Sequence, residues 1–115
     1  MRRGEIVTVG LDPVRGAEAS KTRPAVIVSN DAANATAERL GRGVITVVPV
    51  TSNTERIFPF QVLLPASATG LRIDSKAQAE QVRSVAVERI GRRVGQLPPP
   101  FLAELERALR IHLSL

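Results

Sequence analysis

Short runs in which apolar and polar residues alternate cover the first two thirds of the chain. This period of two is typical of strands that bury one face. Four such runs are predicted as strands: Glu5–Gly10, Ala25–Val28, Val44–Thr51 and Phe58–Leu64. Val44–Thr51 is the clearest of them because β-branched residues dominate it. Pro49 within that run has no N–H group to donate, which indicates a sheet edge or a bulge.

Helical patterns occur at two places in the chain. The alanine-rich run Asp31–Arg39 is predicted as a short helix or turn, capped by Asn30 or Asp31. After the three prolines 98–100, the apolar residues of 101–113 recur at i, i+4, i+7 and i+8. That spacing predicts an amphipathic helix at the end of the chain.

The stretch Asp74–Val87 has conflicting propensities, because its alanines favour helix and its valines favour strand. We predict a strand there, since the preceding strands need a partner, and a last short strand at Val94–Leu97. These elements together predict an α+β, mostly β fold in one domain, residues 1–115. Its architecture is a small, curled, mostly antiparallel sheet closed by a C-terminal helix.

The composition excludes several classes of site. The chain has no cysteine and one histidine, His112, which excludes disulfides, cysteine nucleophiles and chemistry that needs two histidines in one chain. Its carboxylates are scattered, so we predict no metal site and no cofactor. No apolar run approaches the roughly 20 residues of a membrane span, and Met1-Arg2-Arg3 is followed by Gly4-Glu5 rather than by an apolar stretch. We therefore expect a cytoplasmic protein without membrane contact.

The charge balance favours a polyanionic partner. The formal net charge is +5, and arginine supplies 14 of the 16 basic residues. Both halves of the chain carry the excess, so a polyanion such as nucleic acid would bind a folded surface rather than a tail. A generally soluble basic surface explains the same numbers.

Three polar points remain as candidate sites. Arg23 enters a predicted buried strand, Thr51-Ser52-Asn53 ends the clearest strand, and Gln78, Glu80, Gln81 and Arg83 follow one another along the predicted late strand. Each has a purely structural explanation: a surface arginine, turn chemistry, and a solvated strand face. The residues alone thus indicate a basic α+β domain suited to nucleic acid, and no more.

Six segments then add a family resemblance. They are Arg2–Ile6, Leu11–Glu18, the Arg-Pro strand Thr22–Asn30, the Pro-x-Thr segment Val48–Asn53, Phe58–Val62 and Ala79–Ser84. In this order and spacing they resemble the MazF/PemK family of toxin endoribonucleases, and mycobacterial-type MazF toxins in particular.

The resemblance implies a fold, an activity and partners. The fold would be a Src-homology-3-like barrel of the MazF/CcdB type. The activity would be metal-independent, sequence-specific cleavage of single-stranded RNA, with a 2′,3′-cyclic phosphate and a 5′-OH as products, which arrests translation and growth. The partners would be a second copy of the chain and a MazE-type antitoxin whose disordered acidic C-terminal tail covers the RNA groove.

The resemblance also assigns roles to residues. The catalytic arginine falls on Arg23 and the catalytic hydroxyl on Thr51. A guanidinium suits charge stabilisation at the phosphorane, and the threonine hydroxyl would hydrogen-bond the phosphate; the general base is not identified. With no Trp or Tyr and three Phe, base recognition is expected to rest on polar side chains. The predicted RNA-binding residues are Glu18, Lys21, Asn30, Ser52, Asn53, Arg56, Gln78 and Gln81.

Two other functions fit the same barrel. A CcdB-like gyrase poison would act through the C-terminal helix and cut no RNA, although the Arg23 and Thr51 segments argue against it. A non-catalytic RNA-binding barrel would show salt-dependent affinity without turnover.

Overall fold

A computed structural model describes residues 1–11 and 22–115. The strands in this part of the chain are β1 (Glu5–Gly10), β2 (Thr22–Ile27), β3 (Val44–Thr51), β4 (Gln61–Leu64), β5 (Ser75–Gln78), β6 (Arg83–Ala86) and β7 (Ile90–Gln96). The α-helices are α1 (Asp31–Leu40), α2 (Ala66–Thr69) and α3 (Pro99–Leu113). Among the described residues, no helix is long and apolar enough to cross a membrane.

The strands form an antiparallel sheet in the order β4-β5-β3-β2-β1-β7, and β6 pairs with β3 beside this path. The predicted α+β, mostly β class with a C-terminal helix is confirmed. The closed barrel is not, because no pairing within residues 1–11 and 22–115 joins β4 to β7. The sheet is therefore curled and open.

Two apolar clusters hold the fold together, one on each face of the central strands. Ile6, Val26 and Val48 point to the face that α3 covers with Leu105, while their neighbours along the strands, such as Ile27, point to the other face. This division follows from the alternation of side chains along a strand. Both faces of the central strands are buried, which explains the near-continuous apolar runs in the sequence.

The prediction that Pro49 marks a sheet edge or a bulge is wrong, because β3 lies in the middle of the sheet and its register with β2 is regular up to Pro49. The first half of β3 pairs with β6 through Val44–Val47, and its end pairs with β5 through Val50 and Thr51. Pro49 occupies the gap between these two partners. Its missing N–H therefore removes no ladder bond on that side.

Two predicted strands are divided or shortened. The predicted strand Phe58–Leu64 begins at Gln61, because the N–H of Gln61 donates to the carbonyl of Phe58 in a turn. The predicted strand Asp74–Val87 is two short strands separated by a 3₁₀ turn, Ala79–Gln81. The helix predictions are confirmed: α1 starts after its N-cap Asn30, and α3 starts at Pro99, two residues before the predicted run 101–113, with Pro98 as its N-cap.

Candidate nucleic-acid cleft

Arg23 and Thr51 lie at adjacent ends of β2 and β3. The paired residues of these strands end at Ala25 opposite Pro49, and extending that register by two residues places Arg23 opposite Thr51. Pro24 cannot donate a backbone hydrogen bond that would continue the ladder. The Arg-Pro and Pro-x-Thr segments thus end the pairing of β2 and β3 where their polar side chains begin.

An open cleft of about 820 Å³ lies at this end of the sheet. It is lined by β1, β2, β3 and β7 and by the segment that leads from α2 into β5. The lining residues are Thr8, Arg23, Pro24, Val50, Thr51, Ser52, Gly70, Leu71, Arg72, Ile73, Ser75, Arg92, Arg93 and Val94. The structure therefore brings together three of the residues predicted from sequence: Arg23, Thr51 and Ser52.

The described lining of the cleft carries four arginines and no carboxylate. Arg93 is partly balanced, because its Nη1 is 3.5 Å from Oε2 of Glu5. Arg23, Arg72 and Arg92 form no ion pair within residues 1–11 and 22–115. A concave surface with this excess of guanidinium groups attracts anions, and phosphates in particular, because the planar donors match phosphate oxygens.

The hydroxyl of Thr51 is held in a tight turn at the end of β3. Its Oγ1 accepts a hydrogen bond from the N–H of Asn53 at 3.3 Å, and Oδ1 of Asn53 accepts one from the N–H of Glu55 at 3.2 Å. Because Oγ1 acts as an acceptor in this turn, its proton remains available for donation to a ligand. The turn chemistry proposed for this segment and a ligand-binding role are therefore compatible.

Among the described residues, the remaining predicted RNA-binding residues do not line the cleft. Asn53 and Arg56 lie in the loop after β3, Gln78 lies opposite Gln61 at the end of β5, and Gln81 follows in the 3₁₀ turn. Glu18 and Lys21 lie outside the described residues. The part that each plays in RNA binding stays a prediction.

Asn30 lies at the other end of the β2–β3 pair from Thr51. Its Oδ1 accepts from the N–H of Ala33 at 2.8 Å and caps α1. At the same end, a hydrogen bond of 2.7 Å from the backbone N–H of Arg3 holds the pKa of Asp31 below its ordinary value of 3.8. Asn30 thus has a structural role as the N-cap of α1. Its role in RNA binding stays a prediction.

Sequence reasoning missed Arg72, Arg92 and Arg93. Arg92 and Arg93 are adjacent in β7, and Arg72 follows α2, so they are far from Arg23 and Thr51 along the chain. The only sequence signal was the arginine dipeptide, which is common on protein surfaces. Their relevance depends on the curl of the sheet, which brings β7 and the α2–β5 segment to the same cleft.

The chain is similar to known proteins over nearly its whole length. The family described as PemK-like, MazF-like toxin of type II toxin-antitoxin system matches residues 2–113. The chain is 64% identical to Endoribonuclease MazF9 of Mycobacterium tuberculosis over 115 residues, which covers 100% of this chain and 98% of that protein.

Solved structures have the same fold. The Mycobacterium tuberculosis toxin MazF-mt6 superposes with a TM-score of 0.77 at 22% identity, covering 96% of this chain and 97% of that one. A MazE-MazF structure from Deinococcus radiodurans (Form-II) gives a TM-score of 0.75 at 26% identity, covering 100% and 96%. The chain belongs to the family of PemK-like, MazF-like toxins of type II toxin–antitoxin systems.

Proposed function

We propose that this protein is the toxin of a type II toxin–antitoxin pair and acts as a sequence-specific endoribonuclease on single-stranded RNA. The observation that carries the proposal is the cleft in which Arg23, Thr51 and three further arginines converge without a carboxylate among the described lining residues. The name of the relative that is 64% identical, an endoribonuclease, supports the same activity.

The proposed reaction uses the 2′-OH of the substrate as nucleophile. A bond forms between the 2′ oxygen and phosphorus, and the bond from phosphorus to the 5′ oxygen breaks. The products are a 2′,3′-cyclic phosphate and a 5′-OH, once the 2′ proton has left and the 5′ oxygen has gained one. Because nucleophile and phosphate belong to one nucleotide, holding them in line provides a large part of the acceleration.

Arg23 and Thr51 have different proposed roles at the scissile phosphate. The guanidinium of Arg23 donates to the phosphate oxygens, whose charge grows in the transition state. The hydroxyl of Thr51 donates to the same phosphate and orients it. Arg72 and Arg92 bind neighbouring phosphates, which fixes the strand along the cleft.

The partners follow from the same surface. A MazE-type antitoxin with an acidic tail would compete with RNA for the arginines of the cleft, and the MazE-MazF structure from Deinococcus radiodurans supports such a partner. We further propose that the protein acts as a homodimer in the cytoplasm.

Incubation of the purified protein with a long single-stranded RNA in EDTA, followed by mapping of the new ends, tests this function. We expect discrete cuts at one recurring motif with 5′-OH ends. Arg23→Ala should lower the cleavage rate roughly 10²- to 10³-fold, the usual effect of removing one donor to a transition-state oxyanion. Arg39→Ala is the matched control, because Arg39 lies in α1 and does not line the cleft.

A second RNA decides between the proposed chemistry and its alternatives. A single 2′-deoxy nucleotide at the cut site should abolish cleavage there, whereas a cut at that nucleotide would exclude 2′-OH attack. RNA binding without any cleavage would favour the non-catalytic barrel. Cleavage that disappears in EDTA and returns with a divalent cation would refute metal independence.

A further inference from the structure

A stack of three side chains stands in the loop that joins β3 to β4. The rings of Phe58 and Phe60 are nearly parallel, with centroids 5.3 Å apart and planes inclined by 6°. The guanidinium carbon of Arg56 lies 4.9 Å from the centroid of Phe58. We call this group the Arg56–Phe58–Phe60 stack.

Buried polar groups fix the loop that carries the stack. The ammonium of Lys76 donates to the carbonyl of Arg56 at 2.7 Å, and Oε1 of Gln61 accepts from the N–H of Phe58 at 3.1 Å. Nε2 of Gln61 donates in turn to Oε2 of Glu80 at 2.7 Å. Lys76 and Gln61 are each only 8% exposed. Bonds at buried positions hold the stack in place before any ligand arrives, which lowers the entropic cost of binding.

The loop that carries the stack is connected to residues at the end of β3. Lys76 is the cross-strand partner of Thr51 in the β3–β5 ladder, so the residue that anchors Arg56 lies one strand away from the hydroxyl of the proposed site. The loop itself starts at Ser52, which lines the cleft. The loop that carries the stack is therefore attached to this end of the sheet at Ser52 and through Lys76.

The exposure and composition of the stack select its ligand. Phe58 is 37% exposed and Arg56 is exposed, so part of the stack faces solvent. Two of the three aromatic residues of the chain belong to the stack. Unpaired bases of RNA stack on aromatic rings and on the planes of arginine side chains. We propose that the exposed Arg56 end of the Arg56–Phe58–Phe60 stack is a platform on which one nucleobase flanking the cut site stacks. This inference rests on the proposed function, since it takes RNA as the ligand.

The test measures binding separately from cleavage. A fluorescent 2′-O-methyl oligomer with the cut motif has no 2′-OH to attack, so anisotropy reports affinity alone. Phe58→Ala removes the ring that supports the guanidinium of Arg56, so it should weaken binding about 5- to 150-fold, the range for loss of one stacked base. Phe58→Trp should restore binding, whereas Phe58→Leu, which keeps an apolar side chain without a ring face, should not. Val44→Ala is the control, because Val44 is equally apolar, 61% exposed and at the opposite end of β3.

A set of oligomers, each lacking one base, locates the stacked nucleotide. At one position the missing base should weaken binding to the wild-type protein and have no further effect on Phe58→Ala. The platform is refuted if Phe58→Ala, shown to be folded by its thermal unfolding, binds RNA as the wild type does. It is also refuted if, at every position, the loss of affinity from the missing base multiplies with the loss from Phe58→Ala. The same holds if Phe58→Ala lowers the affinity for an acidic peptide and leaves the affinity for RNA unchanged.

Failure of the proposed function has a different signature. A wild-type protein that binds the oligomer through Phe58 and leaves unmodified RNA uncut would retain the platform and refute the endoribonuclease. A protein that cuts RNA at full rate as Phe58→Ala, with unchanged affinity, would retain the endoribonuclease and refute the platform.

Discussion

The salt dependence of RNA binding should reveal which arginines of the cleft contact phosphate. Arg23, Arg72 and Arg92 form no ion pair among the described residues, whereas Arg93 is 3.5 Å from Glu5. Each arginine that neutralises a phosphate releases counterions from the nucleic acid. The logarithm of the binding constant then falls with the logarithm of the salt concentration, by about 0.7 per contact on a single strand.

Three contacts predict a slope of about −2.1, so that affinity should fall roughly 18-fold as the salt rises from about 50 to about 200 mM. Arg92→Ala removes one contact and should reduce the slope to about −1.4, or roughly a 7-fold loss over the same range. Arg92 is distant in sequence from Arg23 and Thr51 and joins them only in the folded sheet. The effect of Arg92→Ala on the slope therefore tests the assembled cleft.

Anisotropy of the 2′-O-methyl oligomer at four or five salt concentrations gives the slope for each variant. Arg39→Ala removes the same charge from α1, outside the cleft, and should leave the slope unchanged. A wild-type slope in Arg92→Ala would refute the assignment of Arg92 to a phosphate. An equal reduction in both variants would show that net charge, rather than the cleft, determines binding.

Two further predictions concern stability. A Cβ on Gly95 would lie 2.5 Å from the carbonyl oxygen of Thr69, so Gly95→Ala should lower the free energy of unfolding by about 1–3 kcal/mol. Gly10→Ala serves as the control, because its Cβ would meet no described atom within 4 Å. An unchanged melting temperature for Gly95→Ala would contradict this packing. The backbone hydrogen bond that Asp31 accepts holds its pKa below 3.8, so its ionised form stabilises the fold above that pH and the contribution disappears as the pH falls through the folded-state pKa. The stability difference between the wild type and Asp31→Asn, followed by thermal unfolding between about pH 2 and pH 7, should therefore narrow in acid, and a difference independent of pH would refute this reasoning.

Arg23 and the Thr51 segment could be singled out from the sequence because their signals are local, whereas their proposed roles came from the family resemblance. Prolines and β-branched residues define where β2 and β3 pair and where that pairing stops, and Arg23 and Thr51 stand next to those prolines. The α3 helix could be predicted equally well, because the apolar residues of 101–113 recur with helical spacing directly after three prolines. In both cases neighbouring residues determine the structure.

The outer parts of the site could not be predicted because distant residues determine them. Phe58–Phe60 continues the alternating pattern of the strand that follows, yet side-chain bonds from Gln61 and the turn at Phe58 keep it out of the sheet. Arg72 and Arg92 reach the cleft only because the sheet curls. Periodicity along the chain contains no information on that curl.

The two prolines of the β2–β3 pair connect the fold to the proposed chemistry. The pairing of β2 and β3 ends at Ala25 and Pro49, so the ends of the two strands that carry Arg23 and Thr51 are not hydrogen-bonded to each other. Pro24 and Pro49 end the pairing one residue or two before these side chains, and the buried part of the ladder holds both strand ends in fixed positions. Arg23 and Thr51 thus enter the cleft from strands that stay paired with β1 and β5, so the proposed phosphate site would be held by the sheet rather than by loops.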